Sequence, residues 1–141
     1  MPSAATDPAA RMAAGAAALK ARAPHVLDAF FAISRAFEST TLDPHSREAV
    51  ILAVASRNQC HLCVDIHEAK YAALGLPPSP ERIDAVRKFT LQVLASSGAV
   101  TDAELAAFEA AGYTRQNALE VVLGIGAYTL STFANRLTRM A

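Results

Sequence analysis

The sequence predicts an all-α protein, a compact bundle of six or seven helices, and three observations carry that expectation. Ala and Leu dominate a composition that is 52% hydrophobic, and both lose little conformational freedom in a helix. Proline, glycine and capping residues recur at helix-length intervals. The alternation of Val, Ile or Thr with polar residues that marks a half-buried strand appears over no useful length. At 141 residues the chain suits a single domain, 1–141, with enough apolar volume for a core without staples.

Each helix has its own signals. Asp7-Pro8 pairs an N-cap side chain with proline at the first helical position and opens a helix to about Ala21. Its Ala-rich sequence suits a loosely packed arm over residues 1–22. Pro24 starts a second helix, to Phe37, with Val26, Phe30, Ile33 and Phe37 on one face. Asp43-Pro44 repeats the cap-plus-proline signal for a third, to about Arg57. Its nearly continuous Val50, Ile51, Leu52 and Val54 place it at the centre. Asn58 is a good N-cap for a fourth helix, closed by Gly75 ahead of Pro77-Pro78. Ser79-Pro80 opens a fifth that ends near Ser97-Gly98. Thr101 and Glu104 have capping-box spacing for a short sixth, closed by Gly112. Thr114 caps the last, from Arg115 towards Arg139.

The charge balance narrows the function classes. Thirteen basic residues offset thirteen acidic ones, and no basic stripe offers itself to a nucleic acid. The near-neutral balance favours a defined homo-oligomer. The most apolar stretch, Ala118 to Ala134, contains Glu120 and runs into Asn135 and Arg136, too short for a membrane span. The first residues lack the basic-then-apolar order of a secretory signal, so a cytoplasmic location is expected.

The chemistry gathers in SRNQCHLCVDIH, residues 56–67, which holds both cysteines and two of the four histidines. Cys60, Cys63 and His67 fall at i, i+3 and i+7, one face of a helix. With Asn58 as cap, both cysteines lie in the first turn. Unpaired N–H groups and the helix dipole there favour an anionic sulfur, the reactive form of cysteine. Two cysteines so spaced can also close a disulfide, which spares the first oxidised thiol from irreversible acids. His67 can move a proton at neutral pH. Glu48, on the preceding helix, approaches this face if the third and fourth helices pack antiparallel, and a carboxylate in that apolar run suits a proton shuttle.

Other readings stand beside this one. The thiols could be merely buried. Cys60, Cys63, His67 and either His61 or Glu48 have ligand types that suit zinc, although three of them come from under two turns of one helix. Glu48 could be an exposed first-turn acid. His25 and His45, beside helix-start prolines, read as surface residues. Gly124 and Gly126 lack the strand of a nucleotide loop and suit close helix packing. Phe30, Phe31, Phe37 and Phe89 are core or pocket wall.

The pattern Glu48-x11-Cys60-x2-Cys63-x3-His67 resembles the active-site signature of the alkylhydroperoxidase D-like proteins of the carboxymuconolactone decarboxylase superfamily. The resemblance covers about Pro24 to Leu76, with a fainter echo in the final two helices. It implies that Cys63 is oxidised by peroxide to a sulfenic acid, that Cys60 resolves it as a disulfide and shares in proton transfer, and that Glu48 and His67 form the proton relay. In one departure, the best-characterised members carry a further His directly before the second Cys, where this chain has Leu62. His61 sits one position earlier, about 100° away around a helix.

The resemblance thus implies a peroxiredoxin-type oxidoreductase, an antioxidant thiol peroxidase of alkylhydroperoxidase D-like fold. It would reduce a hydroperoxide and be reset by an external dithiol, with no metal, flavin or nicotinamide cofactor. Members commonly form trimers or hexamers. The rival expectations are a carboxymuconolactone decarboxylase-like lactone enzyme and a non-enzymatic redox-sensing or partner-binding module.

Overall fold

The structure, a computed structural model, describes residues 7–140. Among the described residues there are seven helices and no strand: α1 (Pro8–Arg22), α2 (Pro24–Glu38), α3 (Pro44–Arg57), α4 (His61–Ala73), α5 (Pro80–Ser96), α6 (Asp102–Ala110) and α7 (Arg115–Leu137). The all-α bundle is therefore as the sequence predicts. No helix among the described residues is long and apolar enough to cross a membrane.

The capping signals work as read, with one exception. Asp7, Asp43 and Ser79 each accept a backbone N–H at the start of α1, α3 and α5, and each is followed by proline. Thr101 and Thr114 form reciprocal capping boxes with Glu104 and Asn117. Asn58 is the exception: it ends α3 and does not cap α4. Gln59 takes a left-handed conformation (φ 56°), its N–H bonds to the carbonyl of Ser56, and that of Cys60 bonds to the carbonyl of Ala55. This is a Schellman closure built on glutamine in place of the usual glycine. The turn uses up Asn58 and Gln59, so Cys60 becomes the N-cap residue of α4, without a side-chain cap bond. Cys63 is the third residue of that helix.

Helix α3 is central, as its apolar run predicts, and packs against α4, α5 and α7. Val50, Val54, Val86, Phe37 and Val121 are fully buried around it. Phe89, Phe108 and Tyr113 stack at 4.1 and 4.5 Å, with the Arg82 guanidinium 3.9 Å above the Tyr113 ring. Tyr113 then reaches Ser46 Oγ at 2.7 Å, tying this stack to the start of α3.

From Pro8 onward the expected arm is helix α1. It packs along α2 and α4, Gly15 is buried, and Arg11 pairs with Asp65 of α4 at 3.1 Å. Its many small Ala side chains let it lie close to its neighbours. Residues 1–6 of the expected arm lie outside the described part.

The two glycines of α7 differ. A Cβ on Gly124 would stand 2.6 Å from the Phe37 ring, whereas one on Gly126 would meet only Ile33, at 3.8 Å. Gly124→Ala is therefore expected to lower unfolding free energy by about 1–3 kcal/mol through overpacking. Gly126→Ala should be neutral or slightly stabilising. Denaturant unfolding of the two variants checks the contrast; equal stabilities would refute the close α2–α7 approach.

Candidate active site

Helices α3 and α4 form an antiparallel hairpin about the tight turn at Asn58–Cys60. That geometry sets Glu48 of α3 opposite His67 of α4, with His67 Nδ1 2.6 Å from Glu48 Oε2. Both side chains are largely withdrawn from solvent, at 10% and 17% exposure for His67 and Glu48. An ionised carboxylate can only accept, so it favours the tautomer with the proton on Nδ1 and leaves Nε2 as the free ring position. The His67 ring also stands edge-on to Tyr128, centroids 5.3 Å apart. Glu48 thus meets the histidine of the expected face and not the sulfurs.

The Cys60 and Cys63 sulfurs are 2.8 Å apart and hydrogen-bonded. Both are free thiols and both are buried. A disulfide places its sulfurs about 2.05 Å apart, so oxidation requires a shift under about 1 Å. The thiol–thiol hydrogen bond holds Cys60 below the ordinary thiol range, outweighing the opposing effect of burial. The same bond pushes Cys63 up, with burial and the charge on Cys60 adding to it. In the reduced pair, negative charge therefore resides on Cys60 first.

A cavity of about 310 Å3 adjoins the pair. Its apolar wall comes from Met12 and Leu19 of α1, Leu27, Phe30 and Phe31 of α2, and Ile66 of α4. Its polar side carries Cys63 and His67, faced by Tyr128, Ser131 and Asn135 of α7. Cys60 and Glu48 are not in the wall. Each stands behind a wall residue, Cys60 behind Cys63 and Glu48 behind His67. Of the four phenylalanines left open by sequence, Phe30 and Phe31 line this cavity, while Phe37 and Phe89 belong to the core.

The remaining histidines do not join the site. His61 is exposed at the first position of α4, and His25 is exposed at the start of α2. His45 is half-buried and contacts the Gly75 carbonyl at 3.1 Å. Among the described residues, no three His, Cys, Asp or Glu side chains are gathered so that they could hold a metal ion. The donor set of the zinc reading is thus dispersed: His61 faces solvent, and Glu48 is engaged by His67.

Sequence reasoning missed the α7 side of the cavity. Tyr128, Ser131 and Asn135 fall at i, i+3 and i+7, the same spacing as Cys60, Cys63 and His67. Burial pushes the Tyr128 hydroxyl up to about 12, so it remains a proton donor across the physiological range. Asn135 directs Nδ2 at Cys63 Sγ (3.4 Å) and Cys60 Sγ (3.9 Å). A polar stripe in an otherwise apolar helix was the available signal, and Asn135 read only as an interruption of an apolar run.

No protein-family model matches this chain, and no curated protein matches it. Among solved structures it is similar to an uncharacterized peroxidase-related protein from Silicibacter sp. TM1040, with a TM-score of 0.71 and 18% identity. The match covers 82% of this chain and 69% of that one. At that identity the likeness establishes a shared all-α fold.

Proposed function

We propose that this chain is a thiol-dependent peroxidase, an alkylhydroperoxidase D-like member of the carboxymuconolactone decarboxylase superfamily, acting on organic hydroperoxides. One observation carries the reading: two free thiols within 2.8 Å of each other, one of which opens with His67 onto an apolar cavity. The fold shared with a protein described as peroxidase-related supports it.

The assignment of roles follows from which residues reach the cavity. Cys63 is the attacking sulfur, because it lies in the wall and Cys60 lies behind it. Cys60, ionised first, takes the Cys63 proton as that sulfur attacks the terminal oxygen of the hydroperoxide. The O–O bond breaks, Cys63 becomes a sulfenic acid, and the departing alkoxide takes up the proton that Cys60 released on ionising, returned from solvent through Nε2 of His67, which Glu48 backs. The Cys60 thiol then attacks Cys63 Sγ; the S–S bond forms, and the hydroxyl leaves with the Cys60 proton as water. Hydroperoxide and two thiols give alcohol, water and disulfide. An external dithiol returns the pair to its reduced form. The cycle needs no cofactor in the chain.

We read the protein as a cytoplasmic homo-oligomer, a trimer or hexamer. Leu119, Phe133 and Leu137 of α7 are exposed apolar side chains consistent with a subunit contact.

Titrating thiols before and after one equivalent of cumene hydroperoxide tests the reading. Two thiols per chain should disappear and return with dithiothreitol; persistent free thiols would refute it. Cys63→Ser should abolish turnover with dithiothreitol, and Glu48→Gln should slow it about a hundredfold. A lactone decarboxylase would be indifferent to Cys63→Ser, and a redox switch would oxidise without turning over. The pH profile follows from the lowered Cys60 ionisation. Turnover should persist as pH falls below the ordinary thiol range near about 8.5 and fail only when Cys60 itself becomes protonated. A profile that collapses at the ordinary thiol value would place the charge elsewhere.

A further inference from the structure

We propose that Asn135 is a positioning residue of the thiol pair, donating from its side-chain amide to both sulfurs so that they stay in register and carry negative charge more readily. The inference deepens the peroxidase reading but concerns the thiols alone.

Asn135 turns its amide nitrogen to the thiols and its oxygen to α1. Nδ2 lies 3.4 Å from Cys63 Sγ and 3.9 Å from Cys60 Sγ, and an amide NH2 has two donors, one for each sulfur. Its Oδ1 faces α1, where a Cβ on the buried Gly15 would come within 3.5 Å of it. Helix α1 therefore closes over the oxygen side while the nitrogen side meets the thiols.

The residues around Asn135 clamp its turn of α7 to the turn that presents Cys60. Thr132 Oγ1 receives the Asn58 side-chain amide at 3.1 Å. Arg136 Nη1 donates to the Asn58 carbonyl at 2.7 Å. The Asn135 carbonyl itself accepts the Met140 N–H at 2.7 Å, closing α7 through Arg139 in a left-handed conformation (φ 65°). These ties bracket Asn135 on both sides and fix its distance to the sulfurs.

The chemistry asks for such a donor. A buried thiolate loses hydration, and N–H groups directed at the sulfur replace part of it. The backbone amides at the start of α4 help, but Cys60 makes no side-chain cap bond there. A neutral amide supplies the donors without bringing a second buried charge that would need its own partner. Its effect lowers both thiols, acting with the thiol pair's own bond at Cys60 and against it at Cys63.

Thiolate absorbance and iodoacetamide alkylation against pH, on the full reduced chain, test the proposal. Asn135→Ala should cut alkylation at neutral pH about tenfold. Asn135→Asp, equal in shape but with an acceptor in place of the donor, should cut it further and move the titration to higher pH. If Asp behaves like Asn, the side chain only fills space and the proposal fails; an unchanged titration in Asn135→Ala also overturns it. The unsubstituted protein gives a second readout that needs no variant to fold. The Asn135 side-chain amide protons should shift in NMR with the same midpoint as the first thiol ionisation, and resonances indifferent to that midpoint would contradict the assignment. No peroxide enters either measurement, so failure here leaves the peroxidase reading intact. Failure of the hydroperoxide titration likewise leaves this proposal standing.

Discussion

The turn from Val54 to Cys60 is the constraint from which the rest of the site follows. Gln59 accepts a left-handed backbone so that the N–H groups of Gln59 and Cys60 can bond back to Ser56 and Ala55. A turn this short reverses the chain between α3 and α4 and leaves their registers no freedom. Glu48 must then face His67, and Cys60 must stand at the mouth of α4 with Cys63 one turn along. The same turn is gripped from outside by α7 through Thr132 and Arg136. Lengthening it by one residue would rotate α4 by about 100° and take Cys63 away from the cavity.

The site is layered in pairs, and the layering answers a physical conflict. Groups that react must reach the cavity, yet groups that hold charge in a low-dielectric wall need partners. The fold separates the two demands. Cys63 and His67 reach the cavity, while Cys60 and Glu48 sit behind them as their hydrogen-bond partners. A hydrogen bond between two side chains largely withdrawn from solvent is costly to leave half-made, so Glu48 and His67 tie the two helices of the hairpin together. Helix α1 then supplies part of the apolar wall, through Met12 and Leu19.

Much of this was legible in the sequence because it is local. Proline after a capping residue marks a helix start whatever the tertiary context, so Asp7, Asp43 and Ser79 read correctly. The Cys60, Cys63, His67 face follows from helical periodicity alone. Asn58 misled because its side chain suits a cap, and no glycine at position 59 announced the closure that makes it the end of α3. The partner of Glu48 could be narrowed to the α4 face but not to His67, since that depends on the length of the turn. Asn135 and Tyr128 were out of reach: they meet the site from more than sixty residues away, and a polar residue in an apolar helix has many possible partners. The packing of α1 was hidden because small Ala side chains give a weak apolar stripe while still permitting close approach.

The central proposal about how these residues work together is that Cys63 is the sulfur that attacks the hydroperoxide, with Cys60 held behind it. Mass spectrometry of reduced Cys60→Ser protein exposed to one equivalent of cumene hydroperoxide in the presence of dimedone tests it most directly. Without a resolving thiol, the sulfenic acid should persist and a dimedone adduct should appear on the peptide carrying Cys63. Unmodified Cys63, with the reciprocal Cys63→Ser protein labelled at Cys60 instead, would contradict it.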